Sequence, residues 1–312
     1  MKYYVTADIH GFLSLFQGAL EESGYYEDPD EKKIIICGDL FDRGEEAEEL
    51  QDYILGLMEK DEVILVKGNH EDCFCDLVTV DNGKALHHHL HNGTYQTALD
   101  LTGFDLAMAY IRRYDFAEAG RQTPYYTRII PSMLDYYETE HYIFVHGWIP
   151  CHKLKDGSFK KLSDWRNRGR EEWEMARWVN GMDAAKAGLI EEGKTIVCGH
   201  WHCSYGHSEY EGIGSEFGPD ADFSPYYAQG IIALDACTGY SKRVNVVVLE
   251  DLNIPDSHET NFSFLPKCTN ASIPTGRKYT HQATMASLPP IPSPPEDILA
   301  NIPVIGINVQ LK

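Results

Sequence analysis

The sequence predicts an α/β domain built in layers, and three observations lead there. Short apolar runs recur at Tyr3 to Thr6, Lys33 to Cys37, Val63 to Val66, Tyr142 to Val145, Thr195 to Cys198, Ile231 to Leu234 and Val244 to Leu249. Runs of this length set between helical patterns are what buried strands look like. Between the early runs, apolar residues fall at helical spacing, and between Glu71 and His141 no strand pattern recurs.

In chain order, the first run is followed by Leu13, Phe16 and Leu20, one helix face, with Gly24 as a C-terminal stop. Glu45 to Lys60 carries Ala47, Leu50, Ile54, Leu57 and Met58 at the same spacing, so the opening order is strand, helix, strand, helix, strand. Residues 72–140, with Ala98 to Tyr114 helical, are expected to form an inserted, mainly helical cap. Trp173 to Ala187 predicts a further helix, with Met175, Trp178, Val179 and Met182 on one buried face. After Leu252 the composition turns to Pro, Ser, Thr and Asn, and "SLPPIPSPPEDI" reads as an extended polyproline-like connector. The expected organisation is a domain over 1–252 and a tail over 253–312 whose end, "IPVIGINVQLK", could dock as an edge strand.

Composition excludes several functions. With 43% hydrophobic and 24% charged residues the chain reads as an ordinary globular protein, and no run approaches the ~18 apolar residues of a membrane span. The N-terminus enters a strand-like run without the features of a signal peptide, so a cytoplasmic location is expected. The eight cysteines are expected as reduced thiols, since Cys37, Cys198 and Cys237 sit in or beside apolar runs, and Cys73-Phe74-Cys75 lacks the spacing of a structural zinc site. A formal charge of −21 without a basic stripe argues against binding a nucleic-acid backbone.

Five of the apolar runs end in residues able to bind a metal: "YYVTADIHG", "IIICGDLFDRG", "VILVKGNHE", "YIFVHG" and "TIVCGHWH". In open α/β sheets the carboxyl ends of the strands line the ligand crevice, so Asp8, His10, Asp39, Asn69, His146, His200 and His202 are expected to converge. One Asp-x-His or one strand-end histidine means little; five runs with the same placement argue for metal binding. Carboxylate, imidazole and amide without thiolate suit Mn, Fe or Zn rather than Ca or Mg. Seven ligands are too many for one ion with open positions and divide well between two, and a pair ~3.5–4 Å apart clamps the attacking and leaving oxygens of phosphoryl displacement.

Asp8-Ile9-His10-Gly11, Gly38-Asp39-Leu40-Phe41-Asp42-Arg43-Gly44, Gly68-Asn69-His70-Glu71, His146-Gly147 and Gly199-His200-Trp201-His202 stand in the order of the calcineurin-like metallophosphoesterase family, which the chain resembles over roughly residues 1 to 250. The Asp-Arg-Gly ending resembles the branch of serine/threonine protein phosphatases and symmetrical diadenosine-tetraphosphate hydrolases. The resemblance implies a sandwich of two central mixed β-sheets flanked by helices, holding two divalent ions, Mn foremost and Fe or Zn also accepted. It implies that Asp8 and His10 hold the first metal, Asp39 bridges both, and Asn69, His146 and His200 complete the second. A water between the ions would lose a proton near neutral pH and become the nucleophile. His70 resembles the acid that protonates the leaving oxygen, with Asp42 fixing its tautomer. Arg43 matches the phosphate-binding arginine. A second family arginine points to Arg177, with Arg166, Arg168 and Arg170 as competitors.

The chain departs from the branch in places. Ala7 precedes Asp8 where the phosphatases usually have glycine, and Trp148 follows His146-Gly147, which implies a bulkier rim. His202 fits the wider family's Gly-His-x-His, where the second histidine binds the first metal. His207 matches no motif position, and the run His87-His88-His89 with His91 is expected as a solvated helix face. The function expected is hydrolysis of phosphomonoesters, including phosphoserine or phosphothreonine in proteins. The alternatives are hydrolysis of dinucleoside polyphosphates and a non-catalytic phosphoesterase-like scaffold, the latter disfavoured by His70, Asp42 and Arg43.

Overall fold

In the computed structural model, which describes residues 1–79, 86–154 and 158–252, the strand-like runs form two stacked mixed sheets. The first sheet has the order β11-β1-β2-β3, where β1 is Lys2–Thr6, β2 Lys32–Cys37, β3 Val63–Val66 and β11 Val247–Glu250. The second has the order β4-β5-β8-β10-β9, with β4 Tyr137–Glu138, β5 Tyr142–Phe144, β8 Thr195–Cys198, β9 Tyr226–Ala228 and β10 Ile231–Ala233. A separate hairpin pairs β6 (Cys151–Lys153) with β7 (Phe159–Lys161).

Side chains on a strand alternate between faces, and this alternation sorts the core into three layers. Tyr3 and Val5 of β1, Ile35 and Cys37 of β2, Phe144 of β5, Val197 of β8 and Ile232 of β10 fill the space between the sheets. Their neighbours turn outward: Tyr4, Ile34 and Ile36 pack under the helices of the first sheet. Ile143, Ile196, Ile231 and Ala233 pack with Trp148, Trp165 and Trp173 on the outside of the second. Strands buried on both faces explain the near-continuous apolar runs.

The helices are α1 (Leu13–Glu22), α2 (Ala47–Glu59), α3 (Asn69–Thr79), α4 (Leu86–Asn92), α5 (Thr94–Thr102), α6 (Leu106–Ile111), α7 (Arg113–Gln122), α8 (Ile130–Ser132), α9 (Arg170–Ala176), α10 (Gly181–Lys186), α11 (Cys203–Gly206) and α12 (Thr238–Ser241). The helix expected over 98–114 is divided instead among α5, α6 and α7. Gly103 ends α5 in the left-handed region (φ 67°), and Asp105 restarts the chain by accepting the Met108 amide at 2.8 Å. The helix expected over 173–187 is also two, because the Asn180 side chain accepts the Met182 and Asp183 amides and starts α10. Of its expected buried face Met182 is buried, whereas Met175 is 55% and Trp178 49% exposed.

The sequence reading missed β4, β6, β7 and β9, which are two or three residues long. The C-terminal connector and edge strand fall outside the described residues. Among the described residues the cysteines are free, and no helix is long and apolar enough to cross a membrane.

Strands β1, β2 and β3 run parallel to one another, as do β5, β8 and β10. The carboxyl ends of these strands carry Asp8, Asp39, Asn69, His146, His200 and one further acid, Asp235.

Candidate active site

The backbone leaves β1, β2 and β8 through tight loops. Asp8, His10, Asp39, Asp42, Arg43 and His200 all have φ between 53° and 75°, a region that costs non-glycine residues of order 1–3 kcal/mol each. Cross-links between loops hold them there: the amides of Asp8, His10 and Gly11 donate to the carbonyls of Gly38, Asp39 and Leu40 at 3.1, 3.0 and 2.7 Å. Two glycines are required by close approach rather than by torsion. A Cβ on Gly68 would collide with Asp39 Oδ1, and one on Gly199 with Asp8 Oδ2.

Asp39 lies at the centre of two groups of donor atoms, His10–Asp39–His70 and Asp39–His146–His200, each within 4.8 Å. His146 Nδ1 donates to the Cys37 carbonyl at 2.8 Å, which turns the Nε2 lone pair toward two other acceptors, Asn69 Oδ1 at 2.7 Å and Asp39 Oδ1 at 3.3 Å. His200 Nδ1 lies 3.1 Å from the same Asn69 oxygen. His10 Nδ1 donates to Phe41 O, and its Nε2 stands 3.8 Å from Asp39 Oδ2 and 4.0 Å from Asp8 Oδ1. Lone pairs converging in this way in a buried site are satisfied by a cation, so the residues present fit divalent metals.

The electrostatics agree. Burial, then the charge of Asp235, pushes the Asp8 carboxyl well above its ordinary range. Burial opposes charge on His146, but the Asp39 carboxylate beside it overrides this and pushes the imidazole up to about 10. Burial, then His146, holds His200 down to about 3, and burial with Arg43 and His70 holds His10 well below the usual imidazole range. A carboxyl pushed up at Asp8 beside imidazoles held down at His10 and His200, with the His146 imidazole raised by its carboxylate neighbour, marks a place where a positive charge belongs.

Above this centre Arg43 spans two imidazoles, Nη1 lying 3.2 Å from His10 Nε2 and Nη2 3.3 Å from His70 Nε2. His70 Nδ1 meets Asp42 Oδ2 at 2.6 Å, and the hydroxyls of Thr94 and Thr97, both on α5, donate to Asp42 at 2.6 and 2.7 Å. Glu71, fully buried, accepts the amides of Gly68, Asp39 and Leu40 at 2.6, 3.1 and 3.0 Å and the Tyr125 hydroxyl at 3.1 Å, tying the β2 and β3 loops together.

Two expected site residues are not brought into this arrangement. The Arg177 guanidinium is buried and held by Asp72 at 2.7 Å and by Asp135, so two carboxylates occupy the nitrogens a phosphate would need. Its competitors are likewise engaged, Arg166 by Glu138 and Glu191, Arg168 by Asp164 and Arg170 by Glu174. His202 turns Nε2 to Glu216 at 2.9 Å and packs on Phe217, outside both donor groups. Trp148 does not form a rim: it is 1% exposed, with Nε1 donating to Leu189 O. His207 is held by Glu211 and Ser224 O, away from the centre. Of the histidine run, His87, His88 and His91 are exposed as expected, but His89 is buried.

Sequence reasoning missed Thr94, Thr97, Glu71 and Asp235. Asp235 left a signal, since "IIALDA" is a further apolar run ending in an acid, and Glu71 stood at the end of the motif Gly68-Asn69-His70-Glu71 without a role. The threonines sit on a helix whose packing against the Asp42 loop nothing local specifies.

A buried centre of this composition at the strand ends of a two-sheet sandwich is the kind that metal-dependent phosphatases carry. Comparison with known proteins narrows the class: the calcineurin-like phosphoesterase family matches residues 1–222, and the chain belongs to that family. Among curated proteins it is similar to bis(5'-nucleosyl)-tetraphosphatase PrpE (asymmetrical) of Anoxybacillus flavithermus, 31% identical over 78 residues (23% of this chain, 32% of the relative). The Bacillus thuringiensis counterpart is 35% identical over 77 residues (22% and 31%). The chain thus spans about a third of the length of these relatives. Similar solved structures include a cold-active protein-tyrosine phosphatase of a psychrophile, Shewanella sp. (TM-score 0.43, 14% identity, 80% of this chain and 75% of that one). Another is a Saccharomyces cerevisiae protein serine/threonine phosphatase with similarity to human phosphatase PP5 (TM-score 0.40, 13% identity, 82% of each chain).

Proposed function

We propose that this chain hydrolyses phosphomonoesters with two divalent ions, Mn foremost, sharing Asp39. The observation that carries the reading is that one carboxylate serves two donor groups while Arg43 spans His10 and His70 above them. Asp8, His10 and Asp39 would hold one ion and Asp39, Asn69, His146 and His200 the other. When bound, the ions supply Lewis acidity toward phosphoryl oxygens and a water acidified to near-neutral pKa.

The protein's own groups do the rest. The planar fork of Arg43 pairs with two phosphoryl oxygens and fixes the ester in line. His70 delivers a proton from Nε2 to the departing oxygen, and Asp42 at Nδ1 fixes the ring orientation. Thr94 and Thr97 hold Asp42, so the acid is braced from α5.

Phosphoserine and phosphothreonine present such an ester. A second reading, hydrolysis of a dinucleoside polyphosphate, is favoured by the segment shared with the tetraphosphatases. Product analysis on protein loaded with Mn, Fe or Zn in turn, using an aryl phosphate, a phosphopeptide and diadenosine tetraphosphate, separates the two. Failure to turn over all three with every metal would sink both and leave the scaffold reading.

A further inference from the structure

Two large apolar residues of the face expected to be buried near α9 stand open. Trp178 follows α9 and is 49% exposed, and Met175, three residues earlier, is 55% exposed. An exposed indole beside a buried polar centre calls for an explanation, because large apolar groups left in contact on a surface mark binding sites. Places where a sound sequence expectation fails are where function is expected.

The surroundings of Trp178 supply the explanation. Its ring meets the His200 imidazole edge-on, with centroids 5.7 Å apart and an 84° angle between planes. It also meets His88 of α4, centroids 6.5 Å apart and planes at 45°. His88 Nε2 in turn lies 3.5 Å from the Cys73 sulfur on α3, the helix that carries His70. Trp178 therefore joins the donor group containing His200 to the α3–α4 wall, with a large part of its surface uncovered.

We propose that Trp178 is a specificity-determining residue that stacks a planar ring on the leaving group of the substrate. The inference rests on the phosphoesterase reading and adds the class of ester. With the phosphoryl group under Arg43 and the ester oxygen at His70, the departing group lies along the α3–α4 wall, where Trp178 stands. A serine or threonine side chain has nothing to cover the indole; a nucleobase or an aryl ring has. Stacking on a tryptophan tolerates any planar π-system, so both sources share this chemistry.

Paired esters with matched leaving oxygens test it: adenosine 5'-monophosphate against ribose 5-phosphate, and 2-phenylethyl phosphate against butyl phosphate. The wild-type protein should favour the ring-bearing member of at least one pair in kcat/KM, and which pair tells nucleobase from aryl. Trp178→Ala should lower that preference about 5- to 100-fold, and Trp178→Phe should retain most of it. Tryptophan fluorescence titrated with the same compounds reads the stack without turnover: the ring-bearing ester should quench the wild type, and Trp178→Ala should lose that quench. Absence of turnover with retained quench would overturn the phosphoesterase reading alone. Equal preference in wild type and Trp178→Ala, or quench unchanged by the substitution, would overturn the stacking role.

Discussion

Asp42 and His70 are joined through Nδ1 at 2.6 Å, and both are almost fully buried, so His70 has one nitrogen committed and the other, Nε2, turned to Arg43 and the Asp39 carboxylate. A histidine that only packed would need no carboxylate held in turn by two threonine hydroxyls. On the proposed function the pair is an oriented acid, and its loss should be read in turnover rather than in metal content.

Asp42→Asn and His70→Asn are each expected to lower kcat by about 10²- to 10⁴-fold, the usual worth of a positioned general acid. Manganese bound per chain should stay at the wild-type value. His70→Asn with wild-type turnover would remove His70 from the reaction.

Glu71 is expected to act through Asp39. Its oxygens accept four donors from the β2 and β3 loops and Tyr125, and an amide in its place would turn an N–H group toward donors. Glu71→Gln should cost about 1–3 kcal/mol of stability and weaken manganese binding about 10- to 100-fold, as loss of a ligand's supporting partner does. Urea unfolding and manganese titration measure the two effects. Affinity at the wild-type level would show that the loop holds Asp39 unaided.

Metal binding should be visible in stability without any assay of turnover. The buried Asp8 carboxyl, pushed well above its ordinary range, opposes folding when charged without a cation, and an ion at 100 times its Kd adds about 2.7 kcal/mol. For a domain of this size that is a rise in Tm of roughly 5–10 °C over chelator-treated protein. Asp39→Asn, which takes the shared carboxylate from both groups, should abolish most of the rise; an unchanged rise would place the ions elsewhere.

The sandwich and most of the centre were legible in the sequence because strand ends put chemistry next to apolar runs: Asp8, Asp39, Asn69, His146 and His200 each follow a strand of the parallel sets within three residues. What was not legible depends on pairings between distant segments. Arg177 looks the same in sequence whether it meets a phosphate or Asp72 and Asp135. His202 follows the two-histidine motif, yet α11 begins at the next residue and its ring is turned to Glu216. Trp148 and Trp178 exchange their expected places, since helical periodicity does not register that α9 stops at Ala176.

Asp251 tests how the two sheets are fastened. It follows β11 of the first sheet, and its carboxylate accepts from Thr139 Oγ1, the His141 amide and His141 Nδ1, each at 2.7 Å, in the turn between β4 and β5 of the second. Burial would raise the Asp251 carboxyl, but these hydrogen bonds, His141 first, hold it down at about 2. The same contact with Asp251 raises His141 above its ordinary value. A depressed acid contributes stability that is complete above its unfolded value near 4 and is lost as pH falls through about 2. A raised histidine contributes stability that is complete below its unfolded value near 6.5 and fades as pH rises through its folded one. The fastening is therefore strongest between roughly pH 4 and 6.5. Asp251→Asn should cost about 1–3 kcal/mol there, measured by urea unfolding at pH 5.5, with a smaller gap from wild type at pH 3 and at pH 8.5. A gap that does not vary across these pH values would mean that Asp251 holds the sheets by shape rather than by charge.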